Sequence, residues 1–256
     1  MGLSYENTGE PLMNVGLILA GGVGSRVGAP IPKQFVRVFG KPILAYTLDI
    51  FECNKNIDAI EIVSHKDWVK EIYKIIKAYG ISKARWVCTG GKTFQESVMN
   101  GVFNLKGTLK SEDIVVVSFG VSPLTPDSDI DDSIRVCKRF GNAIASKELD
   151  LCTCIKDDDF SSTKNILRET LKGFSNPWTF QFGELCDAYA RAQKTGLLET
   201  LEPHTTSLYF ALGKRLYFSQ STTPLAKITT RQDLEIFNAL VAMRMREPKR
   251  LDEGMP

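Results

Sequence analysis

The sequence predicts an α/β fold: a mostly parallel sheet with helices on both faces. Three observations predict it. Short apolar runs alternate with segments of helical periodicity, as in βαβ units. The run Ile114–Val117 is apolar without a break, as strands buried on both faces are. Glycine-rich or irregular loops follow the strands, where ligands bind in such sheets.

In order, Val15–Ala20 reads as a strand that runs into Gly21-Gly22. Pro42 opens a helix carrying Ile43, Leu44, Leu48 and Phe51 at helical spacing. Ile57–Ser64 alternates as a strand, and Asp67–Tyr79 is an amphipathic helix stopped by Gly80. Ala84–Cys88 is a strand before Gly90-Gly91, Phe94–Leu105 a helix, Asp113–Ser118 a buried strand and Asp127–Phe140 a helix. Beyond about residue 145 the pattern weakens. Glu148–Lys156 reads as a strand, Asp157–Asp159 as an acidic turn and Asn165–Leu171 as a return strand, so that residues 148–172 form an arm leaving the sheet. Gly183–Lys194 is helical, Leu216–Ser219 a short strand and Thr230–Met245 a closing amphipathic helix. The polar residues 1–14 read as a disordered leader, 15–246 as one domain and 247–256 as a disordered tail.

Composition narrows the function. Of 256 residues, 43% are hydrophobic and 24% charged, which excludes disorder, and 32 Lys+Arg balance 30 Asp+Glu, which does not suggest a nucleic-acid or membrane-surface binder. No apolar run spans a bilayer, and the polar, acidic start is no secretory signal. The six cysteines form no CxxC pair, and His65 and His204 are the only histidines, so a zinc site is not expected. Reduced, mostly buried thiols in the cytoplasm are the simplest reading, with Cys152 and Cys154 sharing one strand face.

Three loops fall at strand ends: Gly21–Pro32, Gly90–Thr93 and Phe119–Pro126. The first carries the chemistry. In Leu17–Gly28, continued by Pro32-Lys33-Gln34-Phe35, a strand runs into Gly21, Gly22 and Gly24, then Arg26 and Lys33. Glycines let backbone amides curl round an anion, and the two cations neutralise a polyphosphate. As solvated loop charges Arg26 and Lys33 would lack this context. The dinucleotide fingerprint fails because Val27 stands where a glycine is needed, and Gly91-Lys92-Thr93 is only the end of a Walker sequence, better read as a turn with Thr93 as helix N-cap.

These segments resemble the methylerythritol-phosphate and ribitol-phosphate cytidylyltransferases. LAGGVGSRVG with PKQF looks like their nucleotide signature, Gly40–Leu44 like the segment after it, Gly90-Gly91 with Glu96–Gly101 like their second nucleotide loop, and Ala226–Thr230 with Asp233-Leu234 like their C-terminal element. The resemblance covers about residues 15–240. It implies a Rossmann-like fold, transfer of CMP from CTP to a polyol or sugar phosphate or a phosphonate with release of pyrophosphate, Mg²⁺, and a homodimer formed through the extended arm. By resemblance Arg26 and Lys33 hold the triphosphate and Lys227 sits near the transferring or acceptor phosphate. Ala20, Gly21, Gly22 and Gly24 contribute to the nucleotide loop, and Gly90, Gly91 and Ser97 help hold the cytidine.

The chain departs from the family after its fourth strand. Where the family has Asp-Ala-x-Arg-Pro, whose Asp binds the metal, this sequence has Phe119-Gly120-Val121-Ser122-Pro123, so Phe119 stands at the Asp and Ser122 at the Arg. Phe94 replaces a usual Arg, and Thr179-Phe180-Gln181 stands for an eroded Thr-Pro-Gln segment. A phenyl ring cannot ligate Mg²⁺, which then arrives on the triphosphate. Asp127, Asp129, Asp131 and Asp132 read as the solvated start of a helix, His204 as a surface or capping residue, and Phe94, Phe119, Trp178, Phe180 and Phe182 as packing. Three functions stay open: an active cytidylyltransferase with an altered acceptor half, a catalytically inactive nucleotide-binding paralogue acting as an interaction or partner subunit, and an activity on another nucleotide or sugar.

Overall fold

The computed structural model describes residues 11–22 and 31–246. The central sheet has seven strands in the order β11-β7-β10-β6-β1-β4-β5. They are β1 (Asn14–Ala20), β4 (Ala59–Ser64), β5 (Ala84–Thr89), β6 (Ile114–Phe119), β7 (Asn142–Glu148), β10 (Lys172–Gln181) and β11 (Phe218–Gln220). β10 runs antiparallel to both of its neighbours, and every other pairing is parallel. The sheet is therefore mostly parallel, as expected, with one reversed strand inside it. A two-stranded hairpin, β2 (Arg37–Val38) with β3 (Lys41–Pro42), precedes the first helix.

Both faces are covered. On one, α3 (Phe94–Asn104), α5 (Phe182–Thr195) and α6 (Thr205–Ala211) place Val98, Val102, Leu185, Tyr189 and Leu208 against Val15, Leu17, Val115 and Val117. On the other, α1 (Ile43–Cys53), α2 (Val69–Tyr79) and α4 (Asp127–Phe140) place Leu48, Phe51, Ile72 and Ile130 against Ile18, Ile60, Ile62, Ile114 and Val116. Successive side chains of a strand point to opposite faces, so β6 is apolar from Ile114 to Val117, and its one buried hydroxyl, Ser118, accepts from Asn176 at 3.0 Å. A third cluster packs α7 (Arg231–Arg246) through Phe237 and Val241 onto Ile43, Val121, Leu124 and Ile228, beside the exit of β6.

Several expectations change. The predicted strand Glu148–Lys156 is divided: β7 ends at Glu148, the chain turns, and β8 (Thr153–Ile155) pairs antiparallel with β9 (Lys164–Ile166) to make the arm. Cys154 lies in β8 and Cys152 precedes it, and Cys53, Cys152 and Cys154 are exposed rather than buried. The acids that open α4 are not a solvated row. Asp129 is fully buried because it accepts from the Thr222 amide at 2.8 Å and the Thr222 hydroxyl at 2.9 Å. Asp132 accepts from the Gln220 amide at 2.9 Å, and Asp131 from Asn54 and Asn56. These bonds tether the chain after β11 to α4. The expected leader at residues 1–10 and the tail at 247–256 lie outside the described residues.

Glu61 lies fully buried in β4, where its carboxyl accepts from Asn104 at 2.8 Å. Burial pushes its pKa up to about 7 against the opposing hydrogen bonds of Asn104 and Cys88. Because the folded value is raised, its contribution to stability is full below the unfolded carboxylate range, near 4.5, and is lost as pH rises to about 7. Stability should fall across that window by up to about 1.4 kcal/mol per pH unit from this group. Glu61→Gln should flatten that part of the profile in urea titrations at pH 5, 6, 7 and 8, and an unchanged profile would contradict the assignment.

Candidate active site

The carboxyl ends of β1, β4, β5 and β6 meet at one edge of the sheet. Over that edge lies a cavity of about 690 Å³. Of the residues expected in the site, Gly21, Gly22, Lys33, Gly90, Gly91, Ser97 and Lys227 line it, and Ala20 is buried just beneath as the last residue of β1. Gly24 and Arg26 lie outside the described residues.

Lys33 opens a short 3-10 turn, Lys33–Phe35, whose Phe35 ring stacks on Trp68 with centroids 4.8 Å apart. Its ammonium donates to the Ile228 carbonyl at 2.8 Å, linking the first loop to the C-terminal segment. Gln34 is buried and donates to the carbonyls of Ala20 at 2.7 Å and Gly22 at 3.0 Å. It thereby fixes the glycine turn from below, a role the residue type alone does not signal.

The second loop is built differently. Its four amides are all used within the fold: Gly90 donates to Ser64 O at 2.9 Å, Gly91 to Ser97 Oγ at 3.1 Å, and Lys92 and Thr93 to the Glu96 carboxylate. Thr93 caps α3, as predicted, with Glu96 returning the bond as a capping box. The Ser97 hydroxyl donates to Thr93 O at 2.9 Å. A Cβ on Gly90 would stand 2.7 Å from that hydroxyl, which explains the glycine. With its donors spent, this loop cannot nest an anion, and the groups its backbone can still present are carbonyl oxygens.

The walls also contain His65 and Lys66, from the connection after β4, and Lys92. The sequence reading passed over that connection because it holds no glycine, although its place at a parallel strand end was a sufficient signal. Among the described residues, four lysines line the cavity and no carboxylate does. Among the described residues no group of three or more His, Cys, Asp or Glu side chains converges as a metal site. Phe119 closes β6 where the resembling family has its metal-binding Asp. The residues present therefore do not fit a Mg²⁺ ion held by the protein, because that ion requires oxygen ligands.

A second cavity of about 360 Å³ adjoins the first, lined by Phe119, Ser175, Trp178, Glu202, His204 and Lys227 among others. Phe119 and Lys227 are the two residues common to both walls. The Lys227 ammonium stands 4.6 Å from the centroid of the Phe119 ring. That ring is braced by Phe94 and Trp178, each with its centroid 5.6 Å away. Phe180 belongs elsewhere, against Tyr209 at 4.8 Å. His204 packs its ring against Phe94 and Trp178 and makes no side-chain cap to α6. Burial, helped by nearby Lys227 and opposed by Glu202, lowers its pKa and favours the neutral ring.

A glycine turn at the end of β1 and a lysine-lined cavity over a parallel sheet edge define a nucleotidyltransferase. Residues 15–243 match the family model for IspD, 2-C-methyl-D-erythritol 4-phosphate cytidylyltransferase. The ribitol-5-phosphate cytidylyltransferase of Lacticaseibacillus paracasei is 36% identical over 89% of this chain and 97% of its own. The 2-C-methyl-D-erythritol 4-phosphate cytidylyltransferase of Clostridium novyi is 32% identical over 89% and 96%. The fold is shared with 4-diphosphocytidyl-2C-methyl-D-erythritol synthase from Anaerococcus prevotii, with a TM-score of 0.77 at 23% identity, covering 90% of this chain and 96% of that one. The chain belongs to the 2-C-methyl-D-erythritol 4-phosphate cytidylyltransferase family and is a CTP-dependent cytidylyltransferase.

Removing the Gln34 amide leaves the buried Ala20 carbonyl without that donor, a loss worth about 1–3 kcal/mol. Gln34→Leu should lower stability by that amount in urea and weaken CTP binding. Parent-like stability would show that the glycine turn holds itself.

Proposed function

We propose that this chain transfers the CMP unit of CTP to a polyol phosphate, and that ribitol 5-phosphate is the acceptor. The observation that carries the reading is the pair of adjoining cavities that share Lys227. The larger, with Lys33, Lys66 and Lys92, suits a nucleoside triphosphate, and the smaller suits a compact phosphorylated acceptor. An oxygen of the acceptor phosphate attacks the α-phosphorus in line, and the bond to the departing pyrophosphate breaks. No side-chain nucleophile is needed, so catalysis consists of positioning and charge neutralisation.

In this reading Arg26 and Lys33 hold the triphosphate, with Ala20, Gly21, Gly22 and Gly24 forming the turn around it. Lys227 meets the charge where the two phosphates join. Gly90, Gly91 and Ser97 form the base site. A loop whose amides are spent and whose carbonyls remain suits the exocyclic amine of cytosine, which is a donor. Mg²⁺ would come with the triphosphate and lessen its charge, since among the described residues no carboxylate lines this cavity to hold it. The non-catalytic alternative has no observation in its favour, since the lysines of both cavities are retained.

Three further readings belong to this proposal. Residues 15–246 act as one catalytic unit. Two copies form a homodimer through the arm, which exposes Leu151, Ile155, Phe160 and Leu167, with Phe160 99% exposed. The enzyme works in the cytoplasm, where six free thiols persist.

CTP at a hundred times its Kd should stabilise the protein by about 2.7 kcal/mol, and CMP at equal concentration by less. Lys33→Ala should weaken CTP binding by about 1.5–3 kcal/mol beyond the stability it loses with its bond to Ile228 O, read as a smaller CTP-induced rise in the urea midpoint than the parent shows. Pyrophosphate release from CTP with ribitol 5-phosphate tests the reaction itself. Equal thermal shifts from CTP and CMP would remove the triphosphate site, and release with no added acceptor that ribitol 5-phosphate does not increase would remove the acceptor.

A further inference from the structure

The two positions at which this chain departs from its family after β6 both bear on one side chain. Phe119 presents its ring to the Lys227 ammonium at 4.6 Å, within the range of a cation–π contact. Ser122 donates to the carbonyl of Ala226, the residue before Lys227, at 2.6 Å. On the other side of Lys227, the Ile228 amide donates to Val121 O at 2.8 Å and the Ile228 carbonyl accepts from Lys33 at 2.8 Å. The backbone on both sides of the lysine is thus bound to the β6 exit, and its side chain lies on a ring of that same exit.

We propose that Phe119 and Ser122 are a positioning pair that seats Lys227 at the junction of the two cavities. The proposal rests on the cytidylyltransferase reading and assigns the work of these two residues within it. Two features support it. Phe119 and Lys227 are the residues shared by both cavity walls, so the ammonium stands where donor and acceptor phosphates meet. The Phe119 ring cannot swing away, because Phe94 and Trp178 pack on it, and the Trp178 indole is itself held by a 2.7 Å bond to Ser175 O. Phe119 and Ser122 touch no reacting atom in this scheme and act only through Lys227.

The seat can be read without turnover. Reductive methylation with ¹³C-formaldehyde labels lysines, and a methylated ammonium over a ring face resonates upfield of ordinary lysines through the ring current. Other lysines also lie over rings, such as Lys106 over Phe103 at 3.5 Å and Lys41 over Tyr46 at 4.8 Å, so the Lys227 signal is the upfield one that disappears in Lys227→Arg. Phe119→Leu should return it to the ordinary position, whereas Phe119→Tyr, which keeps a ring, should retain an upfield shift. In pyrophosphate release with ribitol 5-phosphate, Phe119→Leu and Ser122→Ala should each lower kcat on the order of tenfold, with the KM for CTP within about twofold of the parent. Phe119→Tyr and Ser122→Thr should recover most of the rate. Phe119→Leu should cost nothing more once Lys227 is replaced by Met. A Lys227 signal at the ordinary position in the parent, or one that Phe119→Leu leaves upfield, overturns the seat. So does a kcat loss that the Lys227→Met background does not abolish. A parent that shows the predicted signals but releases no pyrophosphate refutes the acceptor proposed above and not the seat.

Discussion

Six strands that run the same way share one carboxyl edge, and the site depends on that constraint. Hydrogen bonding along a parallel sheet ends there, so each strand hands over to a loop at the same level. The glycine turn after β1, the pair His65-Lys66 after β4, the capped loop after β5 and Phe119 at the end of β6 are neighbours for this reason alone. Only the C-terminal segment reaches the edge from elsewhere. It is brought back by Asp129 and Asp132, which hold Gln220 and Thr222 against α4, and so delivers Lys227 across the exit of β6. Just beyond it, Thr230 and Asp233 cap the start of α7. Burial would raise the Asp233 carboxyl, but the amides of Thr230 and Thr229, with Lys33 nearby, hold it below the usual range.

The two glycine loops are held in different ways. After β1 the turn is held by the carbonyls of Ala20 and Gly22, which accept from Gln34. After β5 the amides turn inward to Ser64, Ser97 and Glu96.

Much of this was legible in the sequence. The longer strands and the helices from β1 to α4 follow from apolar runs and helical periodicity, and the lysines at 33 and 227 were marked by glycine and Ile-Thr-Thr contexts, whereas the short hairpin β2–β3 carried no such signal. β10 was hidden. Its stretch Gly173, Ser175, Asn176 and Pro177 has the composition of a turn, and it becomes a buried strand only because β6 and β7 supply partners on both sides. α6 was hidden by its seven residues and by lacking a side-chain cap. The joint work of Phe119 and Ser122 was illegible for a deeper reason: read singly they look like losses, and their common object, Lys227, lies more than a hundred residues away.

The arm rises between β7 and β10, and those strands are already closed at its base. Glu148 pairs with Lys172 in the ladder, and their side chains form an ion pair. To the folding of the sheet, everything between these residues is therefore a long hairpin tip. Its ends are fixed a strand's width apart whatever its length or composition. Such an insert can be lengthened, shortened or rewritten without renegotiating the core, because the sheet needs only its two closed ends.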